Sequence, residues 1–216
     1  MTARRLREGL RVPPAVMRLG VRQLGRRCLD PALPWPVQRT RLDRLTRNSP
    51  LPPGTVVVRQ AIAGVPAEVV SAGAAESRPT VIHFHGGGYC VGSARTPRSW
   101  AARLSAQTGC RVVLPEYRLA PEHPHPAALE DVRAVLKALS DQVGPGSVVI
   151  SGDSAGGGLA LALVLALRDE GRKQPAGSAV PSSRIDRTRA RARPPPAESP
   201  DSTTGPSSAA TTARAS

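Results

Sequence analysis

A serine between a run of small apolar residues and a second apolar segment carries the clearest chemical signal in the sequence. Residues 147–150 are typical of a buried strand, and residues 152–156 (Gly-Asp-Ser-Ala-Gly) follow at once. A serine on such a strand-to-helix turn exposes its hydroxyl above the N-terminus of the next helix. The small residues Gly152 and Gly156 let strand, turn and helix approach closely. This pattern predicts Ser154 as an activated nucleophile.

A glycine-rich segment, His85-Gly86-Gly87-Gly88, directly follows a second apolar run at residues 81–84. Backbone N–H groups in such a run can turn toward an oxyanion that develops above Ser154. An ordinary glycine-rich turn would have the same composition, so this segment alone decides little. Its occurrence together with the serine turn favours the oxyanion role.

The general base is the missing part of this chemistry. A serine hydroxyl is a weak nucleophile unless a neighbour accepts its proton, and that neighbour is usually a histidine oriented by Asp or Glu. The four histidines, at positions 83, 85, 123 and 125, all precede Ser154, whereas the expected order is Ser, then acid, then His. We therefore predict that each histidine is structural or exposed. Asp153 is interpreted as a turn residue, and the triad Asp and His are not found.

The elements that must position these residues alternate between strands and helices. This alternation, with apolar strands, predicts an α/β fold with a doubly wound, mostly parallel sheet covered on both faces. Residues 63–65 predict a hairpin between the first two strands. The predicted strands are 55–62, 66–71, 81–84, 111–115 and 147–150, and the predicted helices are 4–28 (broken by Pro13-Pro14), 41–47, 99–108, 126–139 and 155–168.

Charge and composition divide the chain into three parts. Residues 1–50 contribute +9 and residues 172–216 contribute +5 to the net charge of +14, while residues 51–171 are neutral overall. We predict a basic helical N-terminal or cap segment at 1–50, a partial α/β domain at 51–171 and a tail at 172–216. The tail lacks Leu, Phe, Trp, Tyr and Met from Gln174 onward, and such a composition predicts disorder.

The same composition bears on partners and location. A strongly basic chain suggests nucleic acid, but no nucleic-acid fold motif is present and the basic ends lack aromatic residues for base stacking. Binding of anionic surfaces through residues 1–50 is a weaker alternative. Three cysteines without a CxxC pair, and no secretory signal, predict a cytoplasmic protein. The longest uncharged apolar run, residues 155–167, is too short to span a bilayer.

Four segments in this order resemble the hormone-sensitive-lipase branch of the α/β-hydrolase esterases. They are residues 85–88 (His-Gly-Gly-Gly), 117–122 (Tyr-Arg-Leu-Ala-Pro-Glu), 126–131 (Pro-Ala-Ala-Leu-Glu-Asp) and 152–157 (Gly-Asp-Ser-Ala-Gly-Gly), and the resemblance spans about residues 50–171. It implies Ser154 as the nucleophile, the backbone amides of Gly87, Gly88 and Ala155 as the oxyanion hole, and His85 as support for the glycine loop. The N-terminal residues would form part of a cap over an acyl pocket. The implied substrates are esters with short to medium acyl chains, cleaved through an acyl-serine intermediate without a cofactor or metal.

The chain departs from this family after the nucleophile helix. Family members continue with further strands, an Asp loop and a late His loop, whereas here the lead into the next strand at residues 174–177 is followed by polar residues from Ser178. We expect a shifted reading frame or truncation near residue 177 and an impaired hydrolase. The alternative is a non-catalytic remnant or binding module that keeps the pocket.

Overall fold

The computed structural model describes residues 28–73 and 79–180, together with Pro13, Gln23 and Gly25. Gln23, Gly25 and Cys28 are helical. Otherwise the helices predicted within residues 4–28, and the predicted tail beyond residue 180, lie outside the described residues.

Helices and strands alternate through most of the described ranges, as the apolar pattern predicts. In chain order they are α1 (Trp35–Thr46), β1 (Thr55–Ile62), β2 (Val65–Ala72), β3 (Thr80–Phe84), α2 (Arg98–Thr108), β4 (Arg111–Pro115), α3 (Ala127–Val143), β5 (Val148–Gly152), α4 (Ala155–Asp169) and β6 (Gly177–Ala179). A 3-10 turn at Pro145–Ser147 precedes β5. None of these helices is long and apolar enough to cross a membrane.

The strands form one sheet in the order β1-β2-β4-β3-β5-β6. The β1–β2 and β2–β4 pairs are antiparallel, while β4, β3, β5 and β6 are mutually parallel. Val81 lies opposite Val112 on one side and Val149 on the other. Helices connect the successive parallel strands, so the predicted mostly parallel α/β sheet is confirmed.

The β1–β2 hairpin forms where the sequence predicts it. Ala63 and Gly64 both have positive φ, at 51° and 82°, which is the conformation of a two-residue hairpin turn that matches strand twist. The register runs from Ile62 opposite Val65 to Thr55 opposite Ala72. The hairpin extends the sheet on the side away from β5.

Helices cover the two faces of the sheet, and strand alternation divides the core between them. Val112 and Leu114 on β4 pack with Ala101 and Ala102 of α2. The intervening Val113 belongs to the opposite core, together with buried residues of α3 and α4 such as Val132, Val135, Leu159 and Leu163. Because side chains alternate along a strand, one apolar run supplies both cores.

Two elements differ most from their predicted positions, and α3 also continues to Val143, beyond its predicted end at residue 139. Helix α1 begins at Trp35 rather than near residue 41, because Pro36 lies in its first turn, where the missing N–H of proline costs no helical hydrogen bond. Strand β6 lies within the segment predicted as tail, where Val149–Ser151 of β5 pair with Gly177–Ala179. Backbone pairing needs no apolar side chains, so a short strand can form there. The boundaries of the three predicted parts otherwise stay predictions.

Candidate active site

Ser154 lies on the turn between β5 and α4 in a conformation that few residues adopt. Its φ of 50° and ψ of −116° place it outside the usual regions for a side-chain-bearing residue. The residue is exposed and immediately precedes the first residue of α4. The turn is so tight that a Cβ at Gly156 would overlap the carbonyl group of Phe84. The predicted strand–serine–helix turn therefore forms.

The glycine loop follows β3 and reaches the same place. Gly87 has a φ of 126°, and a Cβ there would overlap the carbonyl of Val91, so only glycine fits. Gly87, Gly88 and Ser154 line one cavity of about 640 Å³. Within the described part of the chain, no hydrogen bond occupies the backbone N–H of Gly87, Gly88 or Ala155. Gly87 and Gly88 thus line one cavity with Ser154, and their backbone N–H groups have no partner among the described residues.

One part of the lining of this cavity, the N-terminal wall, comes from the N-terminal segment. Leu29, Pro31, Leu33, Pro34 and Trp35 line it and give it a largely apolar surface. The remaining lining residues are Gln38, Cys90 and Val91. An uncharged acyl chain is the kind of group that such a surface accommodates.

The His85 ring lies beneath the glycine loop rather than in the cavity. Its Nδ1 is 2.8 Å from the carbonyl oxygen of Gly86, and its ring stacks on Tyr117 with centroids 4.3 Å apart. The Tyr117 hydroxyl donates a 2.7 Å hydrogen bond to the backbone carbonyl of His85. Burial lowers the pKa of His85 from 6.5 to about 4, so the ring is neutral near pH 7. The contacts are those of a group that braces the loop.

Asp153 links the serine turn to the glycine loop. Its carboxylate accepts a 3.0 Å hydrogen bond from the Gly86 N–H and lies 3.3 Å from Nε2 of His83. Burial raises the pKa of Asp153, but the contacts with His83 and Gly86 outweigh burial and lower it below its usual value. On its other side, the His83 ring contacts the Ser151 hydroxyl at 3.2 Å. From the turn between β5 and α4, Asp153 thus contacts both the glycine loop and strand β3.

The other histidines do not reach the serine. His123 and His125 are exposed and line a separate cavity of about 380 Å³ with Gly88 and Tyr89. Among the described residues, no hydrogen bond joins the Ser154 hydroxyl to a histidine. No group of three or more His, Cys, Asp or Glu side chains in that part of the chain could hold a metal. The structure therefore brings Ser154 and the glycine loop together, and no described histidine is hydrogen-bonded to the serine hydroxyl.

Two contacts at the site have only a weak signal in the sequence. The pair of His83 and Asp153 could have been suspected, because a histidine in a buried strand needs a hydrogen-bonding partner. Arg39 of α1, which binds the loops beside the cavity, is one of twelve arginines in residues 1–50 and stands out by no pattern.

Comparison with known proteins identifies the family. A family model described as alpha/beta hydrolase fold matches residues 81–212. The chain belongs to this family of α/β-hydrolase fold proteins.

Curated relatives are ester hydrolases by name. Acetyl-hydrolase LipR of Mycobacterium tuberculosis is 46% identical over 140 residues, covering 64% of this chain and 46% of the relative. An esterase of Acinetobacter venetianus is 37% identical over 148 residues, covering 68% of this chain and 48% of the relative. This chain spans about half the length of these relatives.

Solved structures agree with this assignment. An esterase from the bacterial hormone-sensitive lipase family superposes with a TM-score of 0.71 at 34% identity, covering 81% of this chain and 59% of that one. EstE5, in crystals soaked with p-nitrophenyl butyrate, superposes with a TM-score of 0.71 at 36% identity, covering 82% of this chain and 60% of that one. The predicted resemblance to the hormone-sensitive-lipase branch is confirmed.

Proposed function

We propose that this chain carries the nucleophile and oxyanion half of a serine carboxylesterase site for esters with short to medium acyl chains. The observation that supports this most is the cavity shared by Ser154, Gly87 and Gly88, with free N–H donors beside an exposed hydroxyl. The substrate is a small-molecule ester. Neither a cofactor nor a metal takes part in this chemistry.

The reaction has two steps. The Ser154 oxygen attacks the ester carbonyl carbon and loses its proton, while the oxyanion accepts hydrogen bonds from the N–H groups of Gly87, Gly88 and Ala155. The tetrahedral intermediate collapses, the C–O bond to the alcohol breaks, and the alcohol leaves with a proton. Water then attacks the acyl-serine, which releases the carboxylic acid and restores the hydroxyl.

Both steps need a base to take a proton and an acid to return it. No histidine follows Ser154 in the sequence, and none of the described histidines contacts its hydroxyl. We propose that hydrolysis by the 216-residue chain is impaired for this reason. The alternative is a non-catalytic remnant or binding module of the same fold. The lack of contact between the described histidines and the Ser154 hydroxyl favours this alternative.

Compartment is a further part of the proposal. Cys28, Cys90 and Cys110 are all free thiols, which suits a reducing environment. We propose the cytoplasm on that basis.

A fluorophosphonate probe tests the state of the serine, because it reacts with activated hydroxyls. Peptide mass spectrometry measures the rate at which Ser154 is labelled. We expect this rate to be scarcely higher than the background labelling rate of the Ser154→Ala variant. Rapid and stoichiometric labelling of Ser154 would show that a base reaches it, and the impaired site would then be the wrong description.

A further inference from the structure

The side chain of Arg39 on α1 bonds to two loops beside the cavity. Its Nε donates to the carbonyl oxygen of Cys90 at 2.7 Å, and its Nη2 donates to the carbonyl oxygen of Ala120 at 2.8 Å. The guanidinium also forms a two-point pair with Glu122, at 3.0 and 2.7 Å. One side chain thereby joins α1, the segment just after the glycine loop and the loop that follows β4.

The position of these bonds matters because α1 and the segment that contains Cys90 both line the cavity that Ser154 also lines. Trp35 and Gln38, just ahead of Arg39 on the same helix, line it together with Cys90 and Val91. The bond from Arg39 to the Cys90 carbonyl therefore joins two segments of the cavity lining.

Helix α1 has a second polar attachment further along. The Ser93 hydroxyl donates to the Asp43 carboxylate at 2.5 Å, and Asp43 is one helical turn beyond Arg39. Asp43 does not line the cavity with Ser154. The helix can thus stay attached at that end while the end beside the serine moves.

We propose that Arg39 is a positioning residue which holds the N-terminal wall of the cavity against the glycine loop and so sets access to Ser154. This inference goes beyond the proposed function and needs no ester turnover. Charge-assisted, two-point contacts of guanidinium with carboxylate are directional as well as strong. The pair is also partly open to water, with the side chains of Arg39 and Glu122 24% and 45% exposed, so salt weakens it.

The thiol of Cys90 reports on this wall directly. It is half-buried in the cavity, whereas Cys110 is buried between α2 and β4 and serves as an internal reference. Peptide mass spectrometry measures the rate at which N-ethylmaleimide alkylates each cysteine. Arg39→Ala should raise the rate at Cys90 about tenfold relative to Cys110, because hydrogen bonds to a charged group are lost.

Companion variants separate positioning from general damage to the fold. Glu122→Gln removes one charge from an exposed carboxylate and should raise the Cys90 rate about threefold. Arg39→Lys, which keeps the charge without the planar fork, should fall between wild type and Arg39→Ala. Arg44→Ala, which changes an exposed arginine of the same helix, should leave the rate unchanged. Added salt should speed Cys90 alkylation in wild type but not in Arg39→Ala.

Some results would overturn the proposal. One is a Cys90 rate in both Arg39→Ala and Glu122→Gln within about twofold of wild type, since the predicted losses exceed that. Another is an equal rise at Cys110, which would mean general unfolding. Should Arg39→Ala fail to fold by circular dichroism, the Glu122→Gln rate and the salt dependence decide the matter alone.

Discussion

At the scale of single residues, the buried His85 ring beneath the glycine loop affects the stability of the fold. The ring is almost fully buried, and its Nε2 has no hydrogen-bonding partner among the described residues. Its Nδ1 faces a carbonyl oxygen, so Nδ1 carries the proton and the ring is neutral. Protonation would place an unpaired charge in the core beneath the glycine loop.

His85 should therefore make the fold sensitive to mild acid. Its pKa is lowered to about 4 in the folded chain, so between pH 6.5 and 4 the unfolded chain binds a proton that the folded chain does not. The contribution of His85 to the free energy of unfolding is complete above pH 6.5 and falls as the pH falls. The free energy of unfolding should lose about 2 kcal/mol from this group between pH 7.5 and 5.

Urea unfolding at the two pH values measures this loss. His85→Asn should show a smaller drop than wild type, whereas His125→Asn, at an exposed histidine, should keep the full drop. Equal drops in His85→Asn and wild type would mean that His85 is not the neutral buried group described.

The β5–α4 turn is the element on which the site depends, because strand, serine and helix approach within backbone contact. A Cβ at Gly156 would overlap the carbonyl groups of Phe84 and His85 on β3 and its loop. These are backbone atoms that cannot rotate away. Gly146, in the 3-10 turn before β5, has open space around the same position.

Substitution of Gly156 by alanine should thus destabilise the fold, whereas the same change at Gly146 should not. We expect Gly156→Ala to lower the free energy of unfolding by about 3 kcal/mol, at the upper end of overpacking effects. Gly146→Ala should change it by less than about 0.5 kcal/mol. Urea unfolding at one pH compares the two, and equal stabilities would contradict the close approach.

The elements also show what the sequence could and could not predict. Apolar periodicity predicts β1 and β4 with their observed bounds, because each depends on local pattern. Turn chemistry predicts the hairpin, although Val65 belongs to β2 rather than to the turn. The predicted start of α1 near residue 41 is too late, because a proline in the first turn resembles a break. The sequence does not predict strand β6, since Gly177–Ala179 pair through the backbone and bury little. The spacing of small residues predicts the serine turn, whereas the contacts of Arg39 and Asp153 join distant segments that no local pattern connects.

At the scale of the whole molecule, a neutral α/β region carries the proposed nucleophile and oxyanion donors. Residues 51–171, which carry no net charge, include the sheet from β1 to β5 and all the residues assigned to the nucleophile and oxyanion donors. The family, the fold and the ester-hydrolase names of the relatives are consistent with one another. Among the described residues, no histidine is hydrogen-bonded to the Ser154 hydroxyl to accept its proton.

Hydrolysis of p-nitrophenyl butyrate, with and without added imidazole, tests this account most directly. Imidazole can supply the missing base. It also reacts with the ester directly, and the rate with Ser154→Ala corrects for that reaction. Without imidazole, we expect wild type to match Ser154→Ala. With imidazole, the wild-type rate should exceed that of Ser154→Ala by on the order of tenfold, since a positioned base contributes at least that much. Ordinary esterase turnover without imidazole, or no dependence on Ser154 with it, would contradict the account.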